Sequence, residues 1–324
     1  MRLREKKQSF NLLRNQQKMN NNQYDVIILG GGAAGLTAGI YLSRAKVKTL
    51  ILNEGMVGGQ IVLTHEIANY PGVENVSGYM LAMTMKKQAE SFGCEIKQNV
   101  VINTIELEGD IKKVTVGEET YTAKAVIIAT GGRSRELGVA GEDTFKGRGI
   151  SYCATCDGDF YTDKDIIVVG GGNSALEEAV ALTTYARTVK IVHIFDHFQG
   201  FEHAIEAAKK NDKISFVLNS SMQGFYGNEK LEKVKIKNLK DNTVTEMPMD
   251  GVFILIGYTP NTEKLKGLVS INEKGEIPTD DDMATNVAGV FAVGDVRQKK
   301  IRQIATAVSD GAIAAISAIE YIQQ

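Results

Sequence analysis

The pattern that most constrains this chain occurs twice: an apolar run, a cluster of glycines, a helix-like stretch and a second apolar run. In the first copy, residues 24–29 run into Gly30, a helix-like segment follows through Ser43, and residues 48–52 are apolar again. In the second, Asp165–Val169 leads into Gly170, a helix-like segment begins at Ser174, and residues 188–194 form the next run. Strand, crossover helix and strand in that order give parallel pairing, because a parallel partner needs a long return connection. Two such units predict an α/β protein with two nucleotide-binding, Rossmann-like domains.

Ala129-Thr130-Gly131-Gly132 follows the strand-like run 125–128, and Gly257-Tyr258-Thr259-Pro260-Asn261 follows the run 252–256. Glycine stands at both places, where a chain has to turn sharply. The expectation is a first domain built from residues 23–132 and 261–324, with residues 133–260 inserted into it as the second. A strand at 290–293 and a helix from Arg302 return to the first domain. That helix carries a small apolar face, Ile304, Ala307, Val308, Gly311 and Ala315, suited to close packing on a sheet or a cofactor.

A length of 324 residues suits two domains better than one core. With 43% hydrophobic and 23% charged residues the composition is that of a globular protein, not of a disordered or fibrous one. The net charge of −2 gives no reason to expect nucleic acid as a partner. No apolar run reaches the ~18 residues that read as membrane-spanning, so no membrane association is expected. Residues 1–22 form an extension with Arg2, Arg4, Lys6, Lys7, Arg14 and Lys18 against Glu5, and lack the apolar core of a secretory signal. They read as a disordered tail, or as sequence upstream of a start at Met19. Three cysteines are too few for a secreted disulfide scaffold, so the default location is cytoplasmic.

Gly30-Gly31-Gly32-Ala33-Ala34-Gly35 fits the G-x-G-x-x-G pattern directly after a strand. The first glycine makes the turn, the second admits a pyrophosphate to the backbone N–H groups, and the third lets helix and strand approach closely. An acid past the second strand binds a ribose hydroxyl in such units, and Glu54 is placed for it.

Cys153-Ala154-Thr155-Cys156 is a C-x-x-C pair followed by Asp157. Two intervening residues let the sulfurs close a small ring, and the pairing can lower one thiol pKa toward ~7. Asp157 is placed to exchange the proton that thiol chemistry requires. A zinc site would need a second Cys/His pair; Cys94 is isolated and His65, His193, His197 and His203 do not supply one, so no metal is expected. Cys94 reads as a small core or surface residue.

In this order and over nearly the whole chain, the motifs resemble the low-molecular-weight bacterial thioredoxin reductases. The resemblance rests on Gly30–Gly35, Gly58-Gly59-Gln60, Asn69-Tyr70-Pro71-Gly72, Ala129-Thr130-Gly131, Cys153 to Gly158, Gly170 to Ala175 with Glu177-Glu178, Gly294-Asp295 and Arg302-Gln303. It implies bound FAD, a homodimer, thioredoxin as partner, and a middle domain that rotates to present its cysteines. It implies that Cys156 faces the flavin, that Cys153 attacks the partner disulfide, and that Asp157 is the catalytic acid. Its FAD contacts fall on Gly30, Gly32, Ala33, Ala34, Gly35, Glu54, Gly59, Gln60, Asn69, Thr130, Gly131, Asp295, Arg302, Gln303 and Ile304.

One segment departs from that family. Members that use NADPH place three arginines after the second strand of the middle domain; the matching positions here are Ile194, Phe195 and Gln199, and no Lys or Arg occurs between Lys190 and Lys209. A 2′-phosphate would lose charge-assisted hydrogen bonds worth ~1.5–3 kcal/mol each, so NADPH binding is doubtful. Three donors stay open: reduced ferredoxin, as in a clostridial-type branch that this segment resembles; NADH, with Asp196 on the ribose; or NADPH held by another cation. Ferredoxin ranks first, although the Gly170 to Ala175 motif is intact. Arg297, Lys299, Lys300 and Arg302 form a basic run that would steer an acidic ferredoxin, or simply a solvated loop. A dithiol oxidase and a flavin redox sensor remain as rival functions.

Overall fold

The computed structural model describes residues 22–64 and 67–324; the expected N-terminal tail, apart from Asn22, and the alternative start at Met19 lie outside the described residues. Val26–Leu29 is four β-branched or leucine residues, all buried. It pairs in parallel with Thr49–Asn53 on one side and Ala125–Ile128 on the other. Glu95–Gln98 and Val290–Ala292 complete the two edges of a five-stranded sheet. Continuous burial along the central strands marks a parallel sheet covered on both faces.

The second five-stranded sheet repeats the plan. Asp165–Val169 pairs in parallel with Thr188–Val192 and Gly251–Ile254, and Ile214–Val217 and Ile150–Ser151 lie at the edges. The expected α/β class with two Rossmann-like units is therefore the observed one. The strand bounds expected at 188–194 and 252–256 are each two residues too long at the end, since the chain leaves its ladder at Val192 and Ile254.

Each parallel sheet has helices on one face and a three-stranded antiparallel sheet on the other. Ile27, Leu29, Leu50 and Leu52 pack against Val114 and Tyr121 in the first lobe. Ile167, Val169 and Val192 pack against Met222, Phe225 and Val234 in the second. Between the lobes runs a two-stranded antiparallel ribbon, Gly132–Ser134 with Tyr258–Pro260. It is locked at its base by Thr130 Oγ1 donating to the Asn261 carbonyl (2.8 Å) and Asn261 Nδ2 donating to the Thr130 carbonyl (2.9 Å).

The last helix, Ile304–Gln323, packs against the Ala33–Arg44 helix. Its length and its mean hydropathy of 1.2 are enough to cross a membrane, although no uninterrupted apolar run reaches that length. Its small face explains the composition: Ala307, Gly311, Ala314, Ala315 and Ala318 are buried. A Cβ on Gly311 would collide with the Ala34 carbonyl of the Ala33–Arg44 helix. The alanines and glycine bring the backbones of the two helices together, and with them the Gly294-Asp295 turn onto the first glycine turn.

Candidate active site

Two sets of residues meet between the lobes. The first surrounds the Gly30 turn. Gly30 has φ +111°, and a Cβ there would strike the Ala129 carbonyl. Gly35 lies against the Gly30 carbonyl, while Gly32 faces open space at the start of the Ala33–Arg44 helix. That helix N-terminus, with Ala33 and Ala34 in its first turn, offers unpaired N–H groups to an anion. Gly59 comes within 3.4 Å of Gly32 for an added Cβ, and Gly58 N–H donates to the Gly31 carbonyl (2.7 Å). Gln60 and Asn69 are exposed beyond this turn.

Glu54 stands where a ribose contact is expected, one residue past the Thr49–Asn53 strand. In this structure its Oε1 accepts from the Ile102 N–H (3.1 Å) and pairs with Lys264 Nζ (2.5 Å). Asn53, absent from the sequence reading, braces the glycine turn by accepting the Gly31 N–H at 2.8 Å.

Across the turn, Gly294 N–H donates to buried Asp310 (3.0 Å), which fixes Asp295. Asp295 Oδ1, Arg302 Nε and the Tyr258 hydroxyl are buried with no hydrogen-bond partner among the described residues. The Arg302 guanidinium lies 4.6 Å over the Tyr258 ring and is tethered to Glu276 by a short ion pair. Three orphaned buried polar atoms beside an open glycine turn are what a large polar ligand with a diphosphate would satisfy. These residues fit FAD. Burial raises the Asp295 pKa, against the opposing pull of Lys299 and Arg302.

The basic run does not stand as expected. Arg297 and Lys299 turn inward onto Asp310 (3.3 and 2.6 Å), and Arg302 onto Glu276. Lys300 alone of the four is exposed. A buried aspartate needs its cations, so this run is mostly internal structure.

The second set surrounds the cysteines. Cys153 and Cys156 are joined as a disulfide at the start of the short Ala154–Asp157 helix. Cys156 N–H donates to Cys153 Sγ (3.2 Å), and Ala154 N–H donates to Glu178 Oε2 (3.0 Å). Ser151 Oγ donates to Asp157 Oδ2 at 2.6 Å and accepts the Cys153 N–H at 3.1 Å. Burial raises the Asp157 pKa from its ordinary value; the Ser151 bond opposes the rise and Asp159 adds to it. A carboxyl so placed can hold a proton beside two sulfurs. Ser151 and Glu178 were not singled out as site residues, since nothing in the spacing marks them.

The two sets touch through Gln303. Its Nε2 lies 3.8 Å from both Cys153 Sγ and Cys156 Sγ. The disulfide of the middle lobe therefore faces the side of the first lobe that carries Asp295, Arg302 and Gln303, with Ile304 opening the helix behind them. Thr130 and Gly131 lie at the base of the ribbon. Cys94 is a core residue away from this site, its thiol pushed up to about 12 by burial.

The second glycine turn is packed differently from the first. A Cβ on Gly170 would strike the Leu255 carbonyl, and one on Gly171 would enter the His193 imidazole. Gly172 faces open space. His193 is only 6% exposed and its Nε2 has no hydrogen-bond partner among the described residues. Beyond it Ile194 and Phe195 are 49% and 42% exposed, and Asp196 is turned to His197 Nδ1 (2.7 Å). Gln199 is held by its own N–H to the Gly171 carbonyl (2.8 Å).

The sequence profile of the pyridine nucleotide-disulphide oxidoreductases matches residues 24–311. A thioredoxin reductase of Peptoclostridium acidaminophilum is 44% identical over 309 residues, covering 93% of this chain and 98% of its own. A 34.2 kDa protein in a rubredoxin operon of Clostridium pasteurianum is 46% identical over 300 residues, covering 93% and 97%. The crystal structure of thioredoxin reductase from Streptococcus pyogenes MGAS5005 superposes with a TM-score of 0.91 at 44% identity, covering 94% of this chain and 99% of that one. Lactococcus lactis thioredoxin reductase in an FR conformation, also 44% identical and covering 93% and 99%, gives 0.63.

This chain is a flavoprotein belonging to the pyridine nucleotide-disulphide oxidoreductase family. Within that family it is an enzyme of the low-molecular-weight bacterial thioredoxin reductase type.

Proposed function

We propose that this enzyme holds FAD in the first lobe, takes electrons from reduced ferredoxin and passes them through Cys153 and Cys156 to a thioredoxin disulfide. The observation that carries the choice of donor is the outer end of the second glycine site. Ile194 and Phe195 are exposed at the positions of two of the arginines, and Asp196 is engaged by His197, with Lys240 the cation whose charge reaches this segment. The Clostridium pasteurianum relative, described by its rubredoxin operon, is in keeping with a small protein carrier.

Bound FAD supplies the two-electron store between donor and disulfide. The chain's own residues do the rest. The Gly30 turn and the helix behind it would hold the diphosphate, and Asp295 and Arg302, each with an unpartnered buried polar atom, would hold polar groups of the cofactor. Cys156 receives the electrons, Asp157 holds and returns the proton under the control of Ser151, and Cys153 attacks the partner disulfide. With the disulfide turned onto Gln303, a partner protein is kept from it. Delivery therefore needs the middle lobe to swing on the Gly132–Ser134 and Tyr258–Pro260 ribbon. Two relatives equally similar in sequence superpose with TM-scores of 0.91 and 0.63, which supports two lobe arrangements. The enzyme works in the cytoplasm as a homodimer; the exposed Tyr41 and Ile316 on the two crossing helices give a second copy apolar surface to cover.

A second reading has its own observation. Packing accounts for Gly170 and Gly171 but not for Gly172, so an NADH-type nucleotide at this turn would explain why a third glycine is present. The test is anaerobic bleaching of the flavin absorbance by reduced ferredoxin, NADH and NADPH, each added separately at matched concentration. Bleaching by ferredoxin alone is expected. Rapid bleaching by either nucleotide would overturn the choice of donor and leave the cysteine chemistry standing.

A further inference from the structure

We propose that the Gln303 carboxamide is a catalytic hydrogen-bond donor to the thiolate that forms when the Cys153–Cys156 disulfide opens, and that Asn69 and Thr306 aim it. The proposal rests on the reading that this pair turns over. Two electrons enter the S–S bond, which breaks. One sulfur takes a proton and becomes a thiol, and the other carries the negative charge.

Among the described residues, Gln303 of the first lobe reaches both sulfurs, at 3.8 Å from each. A disulfide sulfur is a weak acceptor and a thiolate a strong one. The same geometry is therefore worth more after reduction than before it, and shifts the equilibrium toward the open pair. The orientation of the amide is fixed from its other end. Gln303 Oε1 accepts from Asn69 Nδ2 (3.4 Å), and the Gln303 side chain also accepts the Thr306 backbone N–H in a capping box. With the oxygen engaged twice, the NH₂ group is left facing the disulfide. Gln303 N–H in turn donates to Thr306 Oγ1 (3.2 Å), which holds the residue at the N-terminus of the 20-residue Ile304–Gln323 helix. That end of a helix favours negative charge.

Among the described residues, the charged groups beside the pair include Asp157, held by Ser151 and close enough to Asp159 to feel its charge, and Glu178, which accepts from Ala154 N–H; these carboxylates oppose a nearby thiolate. From the first lobe, Arg302 is turned away onto Glu276. A neutral donor that offsets these acidic neighbours fits a pair that must open and still release its electrons.

The test compares the holoenzyme with Gln303→Leu and Asn69→Leu. Dithiothreitol opens the disulfide by losing two electrons and closing into its own cyclic disulfide, so neither the natural donor nor thioredoxin is needed. Two quantities are read: the pH midpoint of iodoacetamide alkylation of the reduced pair, mapped by mass, and the reduced fraction in dithiothreitol redox buffers. Flavin content is followed by absorbance. In Gln303→Leu the alkylation midpoint is expected to rise, with about three- to tenfold less thiolate at neutral pH and a correspondingly smaller reduced-to-oxidised ratio. Asn69→Leu, which leaves the sulfurs untouched, is expected to move both readings the same way by less. Unchanged midpoints and redox ratios in both variants overturn the proposal. So does a shift in Gln303→Leu that appears only with flavin loss while Asn69→Leu shifts nothing. A wild-type pair that passes no electrons to thioredoxin would sink the functional reading alone, since these measurements do not involve thioredoxin.

Discussion

Ile194 stands in the second lobe where Glu54 stands in the first. Leu29 pairs with Leu52 and Val169 with Val192, and each of the two residues lies second past that pair. The acid of one site is thus replaced by an exposed isoleucine in the other. Replacing Ile194, Phe195 and Gln199 together by arginine is expected to create a 2′-phosphate site. NADPH should then bleach the flavin at concentrations at least about tenfold below those of NADH, given ~1.5–3 kcal/mol per charge-assisted bond. Equal responses to the two nucleotides would show that this end of the lobe is not where a phosphate would sit.

Much of this was legible in the sequence, for a physical reason. Continuous apolar runs such as residues 166–169 read as buried strands when glycines and a helix pattern follow, so the two parallel sheets are legible directly. The antiparallel sheets were not read. Lys112–Val116 and Glu119–Ala123 bury only alternate side chains, and their charged residues make them look like loops. The cysteine pair declared itself by spacing. Ser151, Glu178 and Tyr258 did not, because what makes them part of the site is a distance across the fold. The basic run misled for the same reason: four cations in sequence look solvated until Asp310 and Glu276, which neutralise three of them, are placed in space.

Neighbouring glycines in the second turn should behave oppositely. Gly171→Ala would drive a methyl group into the His193 ring and is expected to cost about 1–3 kcal/mol of stability. Gly172 has φ −88° and open space around it, so Gly172→Ala should fold as the wild type does. Denaturant midpoints check both. If the donor is ferredoxin, Gly172→Ala keeps its full turnover; a large loss would favour a nucleotide at this turn.

Ser151 should control the pH at which Asp157 loses its proton. Burial raises the Asp157 pKa and the Ser151 hydrogen bond opposes that rise. Removing the hydroxyl in Ser151→Ala leaves burial unopposed, so the carboxyl keeps its proton to higher pH. The limb of the turnover–pH profile that reports loss of this proton is expected to move to higher pH, and Ser151→Thr should restore it in part. Asp157→Asn should remove the limb and lower turnover by roughly 10²-fold or more. A profile unchanged in Ser151→Ala would assign the limb to another group.

Lys299 and Lys300 are adjacent but predict different things. Lys299 Nζ lies 2.6 Å from Asp310 Oδ2, and both side chains are under a tenth exposed. Arg297 meets the other oxygen of the same carboxylate at 3.3 Å, and Gly294 N–H also donates to it at 3.0 Å. Asp310→Ala would leave two buried cations unpaired and release the Gly294-Asp295 turn. A loss of about 3–5 kcal/mol in stability is expected, together with weaker flavin retention, read by denaturant melts and by flavin released on dilution. Lys300 points to solvent, so Lys300→Glu should leave stability and flavin content unchanged. If an acidic carrier docks beside the flavin, that substitution alone should slow ferredoxin-driven turnover at low salt and flatten its dependence on ionic strength. Equal rates and equal salt dependence in Lys300→Glu and wild type would place the docking surface elsewhere, because the other three cations of this run are already neutralised inside the fold.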